Sequence, residues 1–211
     1  DDPGDTLTCT VTASDDDGGS DSDSATATVD NSAPEISAVA ISPTSGAVGE
    51  TLTCSASASD DDGDTPDLDY VWTNGASTVG TDADYTITES DDPGDTLTCT
   101  VTASDDDGGS ATDSASATVD NTAPELSSVS VSPETGAVGD ELTCSATATD
   151  GDGEDPDLDY VWTNGTDTVG TDADYTITES DDPGDTLTCT VTATDDDGGS
   201  ATDSASATVD N

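Results

Sequence analysis

Carboxylates are the reactive groups this chain has in quantity, and they come in recurring runs. Asp60-Asp61-Asp62-Gly63-Asp64 and Asp105-Asp106-Asp107-Gly108-Gly109 are two of them, and Asp30-Asn31 is a third. Ninety residues later the same three kinds return as Asp150 to Glu154, Asp195 to Gly199 and Asp120-Asn121. Closely spaced carboxylate oxygens suit a hard cation, and calcium most of all, because it takes six to eight oxygen ligands in flexible geometry. The candidate ligands are Asp30, Asn31, Asp60, Asp62, Asp64, Asp105 and Asp107. Their counterparts are Asp120, Asn121, Asp150, Asp152, Glu154, Asp195 and Asp197. The run at 60 to 64 is not an EF-hand, since it lacks both the bidentate Glu and any helical flank. The competing reading is that these are solvated acidic turns that keep the chain soluble.

The charge balance narrows the remaining chemistry. There are 50 Asp and Glu and no Lys, Arg or His, for a net charge of −50. Nothing here can neutralise phosphate, so neither nucleic acid nor an anionic membrane is an expected partner. A Ser-His-Asp or Cys-His site cannot be built without a basic side chain. Asp69, Asp84 and Glu89 could be read as paired catalytic carboxylates. They recur in the next copy, however, and no insertion is present to form a pocket around them, so no enzyme is expected.

Cysteines fall at 9, 54, 99, 144 and 189, in two alternating contexts. Leu-Thr-Cys-Ser-Ala surrounds 54 and 144, and Leu-Thr-Cys-Thr-Val surrounds 9, 99 and 189. The alternation pairs Cys54 with Cys99 and Cys144 with Cys189. Cys9 is left for a cysteine outside the chain. Each bridge closes a loop worth roughly 4 kcal/mol. No metal-type cysteine spacing is present, and disulfides belong outside the reducing cytosol.

The elements that must position these groups are set by a period. The run from Asp1 to Ser20 recurs unchanged from Asp91, and with only Thr194 for Ser from Asp181. Repetition at a fixed distance points to tandem units. The chain divides as 1–31, the closing part of a truncated repeat, then whole repeats at 32–121 and 122–211, as in a window cut from a longer array. Within a unit, Leu97, Cys99, Val101 and Ala103 alternate with threonines, which is the pattern of a strand with one buried face. Similar segments lie at Ile36 to Ile41, Thr51 to Ala58, Leu68 to Trp72, around Val79, at Tyr85 to Ile87 and around Ala115 to Val119. Pro-Gly, Asn-Gly and Asp-Gly turns separate them. Seven short strands in 90 residues predict a two-sheet all-β sandwich.

The order Cys54, Trp72, Cys99 resembles the immunoglobulin-like pattern. Tyr70-Val71-Trp72 with Asn74-Gly75, and the Cys99 to Gly109 run, resemble polycystic-kidney-disease (PKD)-type repeats of bacterial surface proteins. The resemblance implies tandem immunoglobulin-like seven-stranded sandwiches with one disulfide in each. One departure is Leu97, which stands where the family's tyrosine corner would place a tyrosine. In such a sandwich the loops after the second and sixth strands and the incoming linker meet at one end, so the three acidic runs should converge there. The linker Asp-Asn-Ser-Ala-Pro also resembles the Asp-Asn-x-Pro linker of cadherins, where calcium stiffens the junction.

The two whole repeats are identical at 73 of 90 positions. Near-identical copies suit a function proportional to length. The expected role is a structural segment of an extracellular, cell-surface bacterial fibre or filament, associating with copies of itself and stiffened by calcium. The alternative is the repeat region of an adhesin or a carbohydrate-binding accessory module, which an exposed row of aromatics would favour. Glycans are possible partners, and Asn164-Gly165-Thr166 is an N-glycosylation triplet.

Overall fold

Alternating residues along each strand decide where the core sits. In the repeat at 32–121, strands β3 (Glu35–Ser42), β4 (Ser45–Gly46), β5 (Thr51–Ser59) and β6 (Asp67–Asn74) come first. They are followed by β7 (Ser77–Gly80), β8 (Asp84–Thr86), β9 (Thr96–Ser104) and β10 (Ser110–Val119). The computed structural model describes residues 1–211 and contains no helix. These strands form one sheet in the order β3-β5-β8 and a second in the order β4-β10-β9-β6-β7. The seven expected strands are all present, and β4 is an addition. It arises because Pro43, which cannot donate to the ladder, ends the first strand, and the chain then pairs in the other sheet.

The repeat at 122–211 is built alike, with its first and second long strands each divided. Its strands are β11 (Glu125–Leu126), β12 (Ser130–Ser132), β13 (Thr135–Gly136), β14 (Glu141–Ser145) and β15 (Ala148–Thr149). Then come β16 (Asp157–Asn164), β17 (Asp167–Gly170), β18 (Asp174–Thr176), β19 (Thr186–Thr194) and β20 (Ser200–Val209). The larger sheet runs β13-β20-β19-β16-β17, with β13 parallel to β20 and the other pairs antiparallel. Facing it are β12-β14-β18 and the short pair β11-β15.

The fold is all-β, of immunoglobulin-like sandwiches carrying one disulfide each. Cys54 bonds Cys99 and Cys144 bonds Cys189, so each bridge staples the two sheets together. Trp162 lies directly across the ladder from Cys189 and is fully buried. Val131, Leu142, Tyr175, Ile177, Leu187 and Val191 pack around the pair. Trp162 also stacks on Tyr175 at 5.7 Å and donates its indole N–H to the Asp172 carbonyl at 3.0 Å. That contact satisfies the one polar atom a buried tryptophan carries.

The opening residues form the hairpin β1 (Thr6–Ser14) and β2 (Ser20–Thr28), a two-stranded sheet of its own. Its Cys9 is exposed and unpaired. By backbone contacts the chain groups into two compact units. One comprises residues 1–45, 51–85 and 96–117, and the other 46–50, 86–95 and 118–211, a division that does not follow the 90-residue period.

Candidate functional site

The acidic runs fall in the segments that join strands. Asp60 to Asp64 follow β5, Asp105 to Gly109 link β9 to β10, and Asp30-Asn31 lead into β3. The structure ties these three segments together. Asn31 donates its side-chain amide to Asp105 Oδ2 at 3.2 Å, and the Ser32 backbone N–H donates to Asp62 Oδ2 at 2.6 Å. The second repeat does the same, with Asn121 to Asp195 at 3.1 Å and Thr122 N–H to Asp152 Oδ2 at 2.6 Å.

Asp105 and Asp195 are also the hubs of their own turns, whereas Asp62 and Asp152 lie in turns whose hubs are Asp60 and Asp150. Asp105 Oδ1 accepts the N–H groups of Asp107 and Gly109, at 3.0 and 2.7 Å. Gly109 is required there, because a Cβ would stand 2.8 Å from the Ala33 Cα. Asp60 Oδ1 accepts from Asp62 N–H at 2.8 Å, and Asp150 Oδ1 from Asp152 N–H at 2.7 Å. Short Asp side chains favour such turns because they mimic a backbone acceptor.

The electrostatics follow from this division of labour. Burial pushes the Asp105 and Asp195 carboxyls up, but donors outweigh it. The amide of Asn31 or Asn121 and the N–H groups of the turn hold both below the ordinary carboxylate range. Asp64 and Glu154 shift the other way. Burial raises each first, and then the charges of the neighbouring turn, Asp107 for Asp64 and Asp197 for Glu154.

Four carboxylate oxygens in these turns are enclosed and accept no hydrogen bond: Asp60 Oδ2, Asp150 Oδ2, Asp152 Oδ1 and Glu154 Oε2. In a chain without a basic side chain, only amides, hydroxyls, water or an ion could satisfy them. Orphaned oxygens of this kind fit calcium. As they stand, however, no three acidic side chains are gathered around a common ligating point. Beside the second turn opens a cleft of about 390 Å³ lined by Thr122, Ala123, Glu125, Thr149, Asp150 and Gly151. Asp30, Asp107, Asp120 and Asp197 are exposed, as are Asn31 and Asn121. Asp69 and Asp84 lie on β6 and β8, strands of different sheets, and Asp84 accepts a hydrogen bond from Thr53.

Sequence reasoning missed a second carboxylate network. Asp181, only 2 % exposed, accepts from Tyr175 Oη at 2.8 Å, Thr178 N–H and Oγ1 at 2.9 Å, and Asn164 Nδ2 at 3.0 Å. Asn164 also donates to Asp185 at 2.8 Å. Both amide hydrogens of the glycosylation triplet's asparagine are therefore committed in the fold. The network ties down the loop before β19, a task the absent tyrosine corner would otherwise share. Its only sequence signal is a tyrosine six residues ahead of the Asp-Asp-Pro-Gly turn.

No family model matches this chain, and no curated protein does. Solved structures with a similar fold include three N-terminal domains of the bacteriophage RB49 highly immunogenic outer capsid protein. That match is 14 % identical, covers 99 % of this chain and 95 % of the other, and has a TM-score of 0.38. The N-terminal eight immunoglobulin domains of a Down syndrome cell adhesion molecule match at 18 % identity and TM-score 0.48, over 98 % of this chain and 28 % of that one. A tetra-tandem repeat from the extending region of a large adhesion protein matches at 24 % and 0.38, over 99 % of this chain and 57 % of that one.

Proposed function

We propose that the chain is a structural segment of a long extracellular fibre of tandem immunoglobulin-like domains, with cations, calcium best of all, offsetting the negative charge where successive repeats are joined. One observation carries the reading: the linker clip is built twice, 90 residues apart, from the same residue types. Asn31 with Asp105 and Ser32 with Asp62 fix how the chain enters one repeat, and Asn121 with Asp195 and Thr122 with Asp152 fix the other. A linker held at both its side-chain amide and its backbone is stiffer than a free one. Repetition of that device suits an array whose work is reach.

Calcium would find its ligands among Asp60, Asp150, Asp152 and Glu154, whose leftover oxygens are enclosed. It would supply charge neutralisation and cross-bracing rather than reaction chemistry. The disulfides agree with an oxidising, extracellular location. A carbohydrate-binding face is not favoured, because Trp72 and Trp162 are fully buried and Tyr85 and Tyr175 nearly so. Electron microscopy of the native material tests the proposal. Filaments with a regular axial repeat near one domain length are expected. Single flexible strands ending in a separate binding domain would overturn it.

A further inference from the structure

In the 122–211 repeat, β13 pairs with β20 at Thr208 and Val209 alone. From Ser200 to Ser206, β20 therefore has β19 on one side and no strand on the other. Strand β10, with a complete repeat after it, has the same kind of neighbours, the two-residue β4 and the long β9. Thr208 donates its N–H away from β19, to the Glu134 carbonyl at 3.0 Å. Backbone groups alternate in direction along a strand, so Thr202, Ser204 and Ser206 also point their N–H groups outward, past the end of β13. A bare row of that kind is a template for another strand.

The opposite edge of the sheet is blunted in familiar ways. Strand β17 is four residues long, its pairing with β16 is bulged, and the uncovered start of β16 carries Asp157 and Asp159. Strand β20 is ten residues long and pairs with β19 without a bulge. It carries Asp203 instead. Asp203 stands opposite Val191, which is fully buried, so it belongs to the row that faces the core. In that row Ala207 and Val209 are buried and Ala201 and Ala205 half-buried, yet Asp203 is exposed. Its Oδ1 accepts the Ser204 N–H, one of the edge donors, at 2.8 Å. Asp113 holds the Ser114 N–H in the same way, and Asp23 that of Ser24, each at 2.8 Å. One carboxylate thus charges the edge and occupies a donor that an added strand would need.

We infer that Asp113 and Asp203 close the edges of β10 and β20 to strand addition by a second copy of this chain. A second copy is the partner at issue because each repeat presents the same edge, and two identical edges laid antiparallel match donor to acceptor. The inference goes beyond the fibre reading and does not rest on it. Whatever cations do at the acidic turns, sheets of neighbouring chains do not merge along these edges.

Sedimentation equilibrium of the full chain tests this, with Cys9→Ser in every sample to prevent disulfides between chains. About 1 M sodium chloride, where the Debye length is about 3 Å, screens the general repulsion. Asp113→Val with Asp203→Val should strengthen self-association at least about tenfold, the worth of one or two recovered hydrogen bonds. Amide exchange at Thr202, Ser204 and Ser206 should slow in the same variant. The control is Asp106→Val with Asp196→Val, which removes equal charge and adds equal apolar surface at exposed turn positions off the sheet. It should associate no more than the parent does. Circular dichroism and the two disulfides check each fold, and Asp113→Thr with Asp203→Thr carries the same expectation should valine disturb it. Association no stronger than the parent's, or strengthened equally in the control, would overturn the inference. So would stronger association that leaves those three amides unprotected.

Discussion

Replacing Cys144 and Cys189 together by alanine destabilises the 122–211 repeat by about 4 kcal/mol, the loop-closure entropy of a 45-residue separation. Domains of this size are stable by about 5 to 15 kcal/mol, so the loss removes a large part of the total. The core offers little to compensate. Its buried residues include the small Ala193 and Ala207, and its large side chains are mainly Trp162, Tyr175, Ile177 and five leucine or valine neighbours. Thin cores lean on staples. Urea unfolding followed by the fluorescence of both tryptophans should split into two transitions, the earlier one belonging to the altered repeat. Unfolding indistinguishable from the unaltered chain would show that the sandwiches do not depend on the bridge.

Asp181→Ala is the second large effect, at about 3 kcal/mol. It strips the acceptor from Tyr175 Oη, Thr178 and Asn164 at once, and the phenol is 8 % exposed, so water cannot fully replace it. Asp181→Asn retains the shape and loses less. The pH dependence gives a second readout. Burial raises the Asp181 carboxyl, but the bonds from Thr178, Tyr175 and Asn164 outweigh it and set the folded value below the unfolded one. Its stabilisation is therefore full above the unfolded value, about pH 4, and lost as pH falls through the lower folded value. Asp64 and Glu154 act oppositely, since burial first and then neighbouring charge raise their values, and protonation in acid relieves both. The difference in stability between the unaltered chain and Asp181→Ala should shrink below about pH 4. A constant difference down to pH 2 would remove the carboxylate from that role.

Strand alternation made most of the sandwich legible. Leu97, Cys99, Val101 and Ala103 are fully buried, while the threonines between them are not. The disulfides were legible because cysteines in two distinct contexts alternate along the chain, and the structure pairs them so. Burial itself is not local, as the hairpin shows. Leu7 and Val11 belong to the same run as Leu97 and Val101, yet are 46 % and 66 % exposed, because no second sheet covers β1 and β2. Period-2 patterning tells which face is apolar, and only the remainder of the fold tells whether it is covered.

The site was half legible for the same reason. Counting carboxylates located the three converging segments but not how their oxygens are used. Asp105 is among the expected calcium ligands, and its oxygens receive Asn31, Asp107 and Gly109. Asx turns and a distant asparagine leave no periodic trace. The tyrosine-to-aspartate tie was invisible because its partners are spread over loops and strands from 164 to 185.

On the proposed function, cations take the place of basic side chains and neutralise the carboxylates crowded where one repeat follows another. Thermal unfolding of the full chain in calcium and in chelator, at matched ionic strength, decides whether they do. Calcium at a hundred times its dissociation constant should stabilise a repeat that binds it by about 2.7 kcal/mol, visible as a rise of several degrees in its Tm. Identical melting in calcium and chelator would leave two stapled sandwiches whose acidic turns are simply solvated.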